Sequence, residues 1–393
     1  MSGRLETDIL VVGGGLAGLA MTARAASAGI SAICVEAGAK PTVETADRDK
    51  RTTAVLMPGV ETLQKTGTWE EIAADAQAMV ALRILDCGGK TPDAREDVLF
   101  EADELGDGPF GWNVENGKAR LALAARIDAL SNARLMCEAT VARSVTRRDG
   151  VLATLSTGET LRAKLIVGAD GRRSAIREAA GIGHRDWEFG QKIIACRVLH
   201  SEPHHGISTE MHHVGGPLTF APLPGNVSGA VWMNPDAEAD RLIALDDEAF
   251  RAALQERSQG VVGKIQSIEN RAVWNSGITV AKGLTASRTA LIAEAVHAFP
   301  PIGAQGFNTS LRDIETLATL IVGMEDPGSE GVLKQYARKR MPDVLARTAG
   351  IDLLNRSVLS SARPVRDLRH FGLNVLGRTS PLRRFAMRVG MGG

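Results

Sequence analysis

The stretch from Asp8 to Gly29, DILVVGGGLAGLAMTARAASAG, leaves this chain few folds to choose from. An apolar run, Ile9 to Val12, reads as a short buried strand. Gly13, Gly15 and Gly18 follow, and Leu16 to Ala28 has helical composition. In such a unit the first glycine permits a tight turn. The second lets backbone approach a pyrophosphate, and the third lets helix and strand pack closely. Leu16 and Ala17 then open a helix whose free N–H groups and positive dipole end face the diphosphate. The next apolar run, in SAICVEAG, ends in Glu36, 23 residues after Gly13. An acid at that distance accepts a hydrogen bond from a ribose hydroxyl. An acid rather than a base favours a free 2′-hydroxyl, as in NAD or FAD, over NADP. A glycine-rich turn without a ligand uses the same residues; the strand before, helix after and acid beyond are the context that favours dinucleotide binding.

Charge excludes one class of partner. Lys and Arg total 46 and Asp and Glu total 46, so nucleic acid is not expected, because phosphate binding needs a basic excess. The 393 residues, 44 % hydrophobic, suffice for more than one core. Cys34, Cys87, Cys137 and Cys196 are scattered without a CxxC pair, which points to a reducing compartment and idle thiols. Acidic Glu6 and Asp8 stand where a secretory signal carries positive charge, and no apolar run of about 20 residues occurs. A cytoplasmic location is expected.

Two later segments choose between the dinucleotides. In AKLIVGADGRRSAIR, a strand from Leu165 to Val167 runs into Gly168, Ala169, Asp170 and Gly171, with Ser174 and Arg177 on a short helix. By itself this is equally an Asp-Gly turn capped by a salt bridge. In RTALIAEAVHAFPPIGAQGFNTSLRDIETLATLI, a strand from Ala290 to Ala293 leads to Glu294, a Pro-Pro-Ile-Gly-Ala-Gln-Gly turn and a helix from Ser310 to Val322. Pro300 and Pro301 fix the approach. Gly303 and Gly306 remove side chains where something flat must lie, and a second helix N-terminus faces it. Two such termini suit a cofactor with a long body and a ring that takes up negative charge on reduction.

In this order the three segments resemble the class A FAD-dependent aromatic hydroxylases of the para-hydroxybenzoate hydroxylase type, most closely the ubiquinone-biosynthesis hydroxylases. RDKRTTAVL, FGWNVENGKARLALAARI and PPIGAQGFNTSLRDIETLA carry the likeness further, over most of residues 5 to 375. The resemblance implies an α/β fold: a Rossmann-like FAD-binding domain with an inserted, mainly β substrate domain and a C-terminal helical region. The FAD domain is expected in three pieces, 1–71, 116–182 and 286–350. The substrate domain is expected at 72–115 and 183–285, where KIIACRVLH, LTFAPLP and GAVWMN read as strands. Residues 351–393 form the basic helical tail.

Carried over residue by residue, the implied FAD contacts are Gly13, Gly15, Leu16, Ala17, Gly18, Glu36, Arg51, Arg120, Asp170, Glu294, Gly303, Gly306, Phe307 and Asn308. One departure stands out: Glu294 replaces the usual Asp, after Ala293 where Gly is usual. The implied reaction uses tightly bound FAD, transient NAD(P)H and O2, through a flavin C4a-hydroperoxide that hydroxylates a polyprenylated phenol. Water must be excluded. The sequence names no convincing base; the flavin-side turn Pro300, Pro301 and Gly303 is the favoured catalytic element, with backbone N–H groups near Gly306 to Asn308 stabilising charge. A related flavin-dependent prenyl or quinone reductase, or a low-flavin scaffold of a quinone-synthesis complex, fits the same motifs. His297 follows the family histidine and need not be a base.

His204-His205 and His212-His213 invite a metal reading, but with no acidic partner set nearby and no ligand spacing no metal is expected. The tail interleaves Arg363, Arg366, Arg369, Arg378, Arg383, Arg384 and Arg388 with Leu, Phe and Val. That pattern suits a membrane surface, peripherally at the inner face, or a partner of a quinone-synthesis complex. A helix pair packed on the FAD domain with a solvated face accounts for it equally.

Overall fold

Runs of Val, Ile, Leu and Ala too apolar for a solvated edge build the first sheet. Strand β1 (Leu5–Val12), helix α1 (Leu16–Ser27) and strand β2 (Ala32–Val35) form its opening unit. Ile9, Leu10 and Val11 are wholly buried, as a strand covered on both faces requires. The structure, a computed structural model, describes residues 5–49, 51–87, 96–106, 108–360 and 363–391.

The chain then passes through α2 (Val43–Arg48), β3 (Thr52–Leu56), α3 (Met57–Thr66), α4 (Trp69–Ala73), β4 (Gln77–Met79), β5 (Ala81–Asp86), β6 (Glu96–Glu101) and β7 (Gly111–Glu115). It returns through α5 (Asn116–Ala129), β8 (Ala133–Met136), β9 (Val141–Arg147), β10 (Gly150–Leu155), β11 (Thr160–Gly168) and α6 (Ala175–Ala179). Next come β12 (His184–His200), β13 (Ile207–His213), β14 (Gly216–Leu223), β15 (Val227–Pro235), α7 (Asp236–Ile243), α8 (Asp247–Arg257) and β16 (Ile265–Ala281). The last part is β17 (Thr285–Ala286), β18 (Thr289–Leu291), β19 (His297–Ala298), α9 (Gln305–Ile321), α10 (Glu330–Leu359), α11 (Arg363–Arg378) and α12 (Ser380–Met391).

The first sheet has the order β17-β18-β11-β1-β2-β8, with β10 and β9 continuing antiparallel from β11. From β18 to β8 the strands run parallel, so their carboxyl ends share one edge. That edge is where open α/β sheets bind ligands. The second sheet has the order β19-β16-β12-β15-β14-β13-β5-β6. It joins strands from both expected insertions, 72–115 and 183–285. One face is covered by α7 and α8, whose Leu242, Phe250 and Leu254 pack on Ile194, Met211, Leu218 and Trp232. The opposite face meets the first domain: Ile193, Val231 and Met233 pack on Ile302. A small sheet, β3-β7-β4, lies between.

Three expectations need correction. Strand β18 ends at Leu291, short of Ala293, because Ala293 adopts φ 56° and turns the chain into a 3-10 segment. Helix α9 begins at Gln305, five residues before Ser310, because left-handed Ala304 ends the turn and lets the helix start at once. The tail does not rest on the first domain alone: α12 buries Met387 against Val98, Phe100 and Phe110. Helix α10 runs unbroken through position 350.

Candidate cofactor and substrate site

The three motif segments converge at the carboxyl edge of the first sheet. Ala169 N donates to Val12 O at 2.8 Å, and Ile292 N donates to Gly168 O at 3.0 Å. Gly13 has φ +106°, and a Cβ there would lie 2.4 Å from Ala169 O. A Cβ on Gly18 would lie 1.8 Å from Gly13 O. These two glycines are therefore required by the protein's own packing. Gly15 differs: a Cβ there would meet nothing within 4 Å. It precedes α1 with extended backbone and no side-chain cap, so the first N–H groups of that helix, from Leu16 and Ala17 onward, lack a side-chain partner at the cap. Bare backbone facing open space is what a pyrophosphate needs.

Side chains flank this cradle. The Glu36 carboxylate accepts from Gly14 N, and from Gly38 N at 2.9 Å. It stands at the end of β2, each oxygen with a lone pair remaining for a ribose hydroxyl. Arg120, on α5, donates to Gly14 O at 3.3 Å, while its buried Nε has no partner among the described residues. That orphaned donor beside the glycine turn fits an anionic ligand. Arg51 is tied to Asp49 by two contacts of 2.8 Å and also feels Glu294. Glu294 is exposed between buried Ala293 and Ala295, so its carboxylate points out of the protein toward the same edge.

The Asp-Gly turn is not closed by a salt bridge. Asp170 accepts from Ser174 Oγ and, at 3.0 Å, from Ile176 N, which caps α6. Buried Arg177 instead donates to Ala295 O at 3.0 Å and Arg172 O at 2.9 Å, pinning this turn to the third segment. The side chain of Asp170 is thus engaged in holding the loop, while its backbone abuts Gly13.

The Pro-Gly turn has the same division of labour. Added Cβ atoms at Gly303 and Gly306 would find open space, with nothing nearer than Gln305 at 4.0 Å. Pro300 is buried, Pro301 is exposed, and Ile302 anchors the turn to the second sheet. Phe307 packs on the first core. Asn308 spends its whole amide on backbone: it donates to Ala54 O and Ala304 O at 2.7 Å and accepts from Leu56 N at 2.9 Å. It clamps β3 to α9, leaving only its main chain for a ligand.

A buried ionic network supports this turn from below. His297 Nε2 lies 2.7 Å from Asp313 Oδ2, and both side chains are wholly buried. Asp313 also accepts from Ala293 N at 3.0 Å and pairs with Arg340 at 2.8 Å. Burial raises the Asp313 carboxyl, but His297 and Arg340 more than offset this and hold it below 3.8. Asp313 thereby stabilises the left-handed backbone at Ala293 where the family uses Gly. His297 is a structural member of this network.

Burial pushes the Cys34 and Cys196 thiols up to about 12 and Cys87 up to about 11, and Cys34 Sγ donates to Gly13 O at 3.7 Å beneath the cradle. The histidine pairs also resolve. His204 Nε2 meets Leu223 O at 2.7 Å, and burial, then Arg257, push His213 down to about 3. His212 corrects an expectation, since it has an acidic partner: its Nε2 lies 2.7 Å from Glu210 Oε1. The alternation Glu-x-His on one strand face, Glu210 and His212, was the available signal. In the tail, Arg383 pairs with Glu104 at 2.7 Å, and Arg384 and Arg388 are exposed. The side chains of Arg363, Arg366, Arg369 and Arg378 lie outside the described residues. Among the described residues no helix is long and apolar enough to cross a membrane.

Comparison with known proteins agrees with this geometry. The profile of the FAD binding domain family matches residues 6–348. The chain is similar to a protein named ubiquinone hydroxylase UbiL of Rhodospirillum rubrum, with 34 % identity over 98 % of this chain and 89 % of that one. It is 28 % identical to the 3-demethoxyubiquinol 3-hydroxylase of Escherichia coli, over 98 % of each. Among solved structures, p-nitrophenol 4-monooxygenase PnpA from Pseudomonas putida superposes with a TM-score of 0.82 at 18 % identity, covering 100 % of this chain and 99 % of that one.

Proposed function

This chain belongs to the FAD binding domain family of class A aromatic hydroxylases, and on that premise we propose that it hydroxylates the ring of a polyprenylated phenol in ubiquinone biosynthesis. The observation that carries the reading is the pairing of two kinds of surface. Open backbone at Gly303 and Gly306 flanks Ile302, through which a separate sheet touches the same turn, and a second stretch of open backbone lies at Gly15. Relatives named as ubiquinone hydroxylases over nearly the full chain support the substrate class.

Bound FAD supplies acceptance of electrons from NAD(P)H and activation of O2. The chain's own residues do the rest. Gly15, Leu16 and Ala17 would hold the diphosphate by main-chain N–H groups, with Arg120 adding charge and Glu36 the ribose. Glu294 and Arg51 would take the middle of the cofactor. Pro300, Pro301 and Gly303 would lie along the ring. The N–H groups of Gly306 to Asn308, at the positive end of α9, would stabilise negative charge developing beside them. The sheet above excludes water from the reacting atoms.

The tail suits delivery of a substrate whose prenyl chain lives in lipid. Leu368 and Phe371 on α11 and Leu382, Phe385 and Val389 on α12 are exposed at helical spacing, beside exposed Arg384 and Arg388. Apolar side chains rimmed by cations match an anionic bilayer. Vesicles with phosphatidylglycerol should retain the protein, and Phe385→Asp should release it.

The decisive experiment is incubation of the purified yellow protein with NADH or NADPH, O2 and a prenylated phenol, with product identified by mass. Gain of one oxygen atom by the ring, from O2, is expected. Nicotinamide oxidation that yields only peroxide with every prenylated phenol overturns the reading.

A further inference from the structure

The second sheet carries an ionisable pair on the face that meets the cofactor turn, and cross-strand register shows it. Ile84, Glu210, Thr219, Val231 and Ala195 form one row across β5, β13, β14, β15 and β12. Asp86, His212 and Pro217 form the next row on the same face, and carrying the β14–β15 register one residue beyond Leu218↔Trp232 brings it to Met233, which pairs with Ile193. Val231, Met233 and Ile193 contact Ile302 of the Pro-Gly turn. At the other end of the first row, Ile84 packs in the cluster that holds Met387 of α12. Glu210 and His212 therefore lie between the cofactor turn and the tail. Strand spacing puts the His212 backbone roughly 10 Å from that of Met233.

Both side chains are removed from water: His212 is 4 % exposed and Glu210 9 %. His212 Nε2 contacts Glu210 Oε1 at 2.7 Å, and its buried Nδ1 has no partner among the described residues. A carboxylate at Nε2 fixes the tautomer with hydrogen on that nitrogen and leaves the Nδ1 lone pair free to accept. An imidazole held this way is built to receive a proton from within the site.

We propose that His212 is the base that ionises the bound phenol, with Glu210 as its positioning residue. The inference rests on the ring-hydroxylation reading and deepens it. The phenol O–H bond breaks, an Nδ1–H bond forms, and the electron pair stays on the phenolate oxygen, raising electron density on the ring. Glu210 balances the imidazolium. The proton leaves to solvent as product departs. The charged groups facing His212 are Glu210, Asp86 on β5, and beyond it Glu96 on β6 with His370 of α11 at 3.5 Å. Strand β14 presents uncharged Pro217 and Thr219.

The test compares the wild-type holoenzyme with His212→Asn and Glu210→Gln, using 2-prenylphenol as probe. Three quantities are read across pH: FAD content, NAD(P)H oxidation, and hydroxylated product per NAD(P)H consumed. His212→Asn should keep its FAD and lose product by about 100-fold at neutral pH, the lower range for a general base. Product should recover as pH rises toward about 10, where a phenol ionises unaided. Glu210→Gln should lose less and shift the pH profile. If His212→Asn does not fold, the isosteric Glu210→Gln decides by its profile alone. Wild-type coupling and pH dependence in a variant that holds FAD overturn the base while leaving the hydroxylase reading intact. A wild-type enzyme that oxidises NAD(P)H but hydroxylates no phenol overturns both.

Discussion

In the cradle at the end of β1 the decisive contacts are backbone to backbone. Ala169 donates to Val12, Ile292 to Gly168, and two glycines fill gaps that admit no carbon. Across the second sheet the decisive groups are side chains, Glu210 and His212, mounted on strands whose backbone is ordinary. The first region can be damaged by adding one atom. The second should tolerate backbone-neutral changes and yet lose its chemistry when one titratable group is replaced. The difference separates residues that make the fold possible from residues that use it.

The strongest way to break this contrast is within the cradle itself. Gly18→Val should prevent folding or destabilise it by at least about 3 kcal/mol, the upper range for overpacking. Gly15→Glu, three residues away, faces open space. It should keep the wild-type melting temperature without flavin and yield a colourless protein. Equal damage to folding by both, read by thermal denaturation, would erase the distinction between packing and ligand glycines.

Next in size is the support beneath the turn. Asp313→Ala leaves the buried Arg340 side chain, 6 % exposed, with Asp343 alone, and takes from buried His297 its carboxylate partner. A cost of about 3–5 kcal/mol follows from breaking such a pair. A carboxyl held below its unfolded value adds stability above that value and loses it as pH falls through the folded one. Wild type should therefore weaken as pH drops below about 4, and Asp313→Ala should show a shallower acid limb. An unchanged limb in urea melts at several pH values would show that other carboxylates set it.

The smallest effect belongs to Arg51. Its side chain is 57 % exposed and its partner Asp49 is near the surface. Arg51→Ala should change stability by less than about 1 kcal/mol. Any larger loss should appear only in FAD retention, measured by release on dilution.

The cradle was legible in sequence because backbone requirements restrict residue type. Only glycine serves at Gly13 or Gly18, so spacing alone reveals them. Glu36 and the Pro-Gly turn are readable for the same reason. The Asp313–Arg340–His297 network was invisible, because an Asp eight residues into a helix looks solvated until tertiary packing buries it. The Glu210–His212 pair was half visible. Its alternation sits in ISTEMHH, but which strand face looks toward the turn depends on register with β14 and β15, which one sequence does not state. Asn308 was read as the end of the turn, yet it lies in the first turn of α9 and its amide serves β3 and Ala304.

The strand order also has a consequence for how the protein is made. β11 ends at Gly168 and its parallel neighbour β18 begins at Thr289. At about 5–20 residues per second of synthesis, one edge of β11 waits on the order of 10 s for its partner to leave the ribosome. Residues 184–281, translated in that interval, pair largely with one another and with β5. The substrate sheet is thus able to assemble first, and the nascent chain carries an open, apolar strand edge until β18 arrives. Chaperone demand during translation should concentrate in that window.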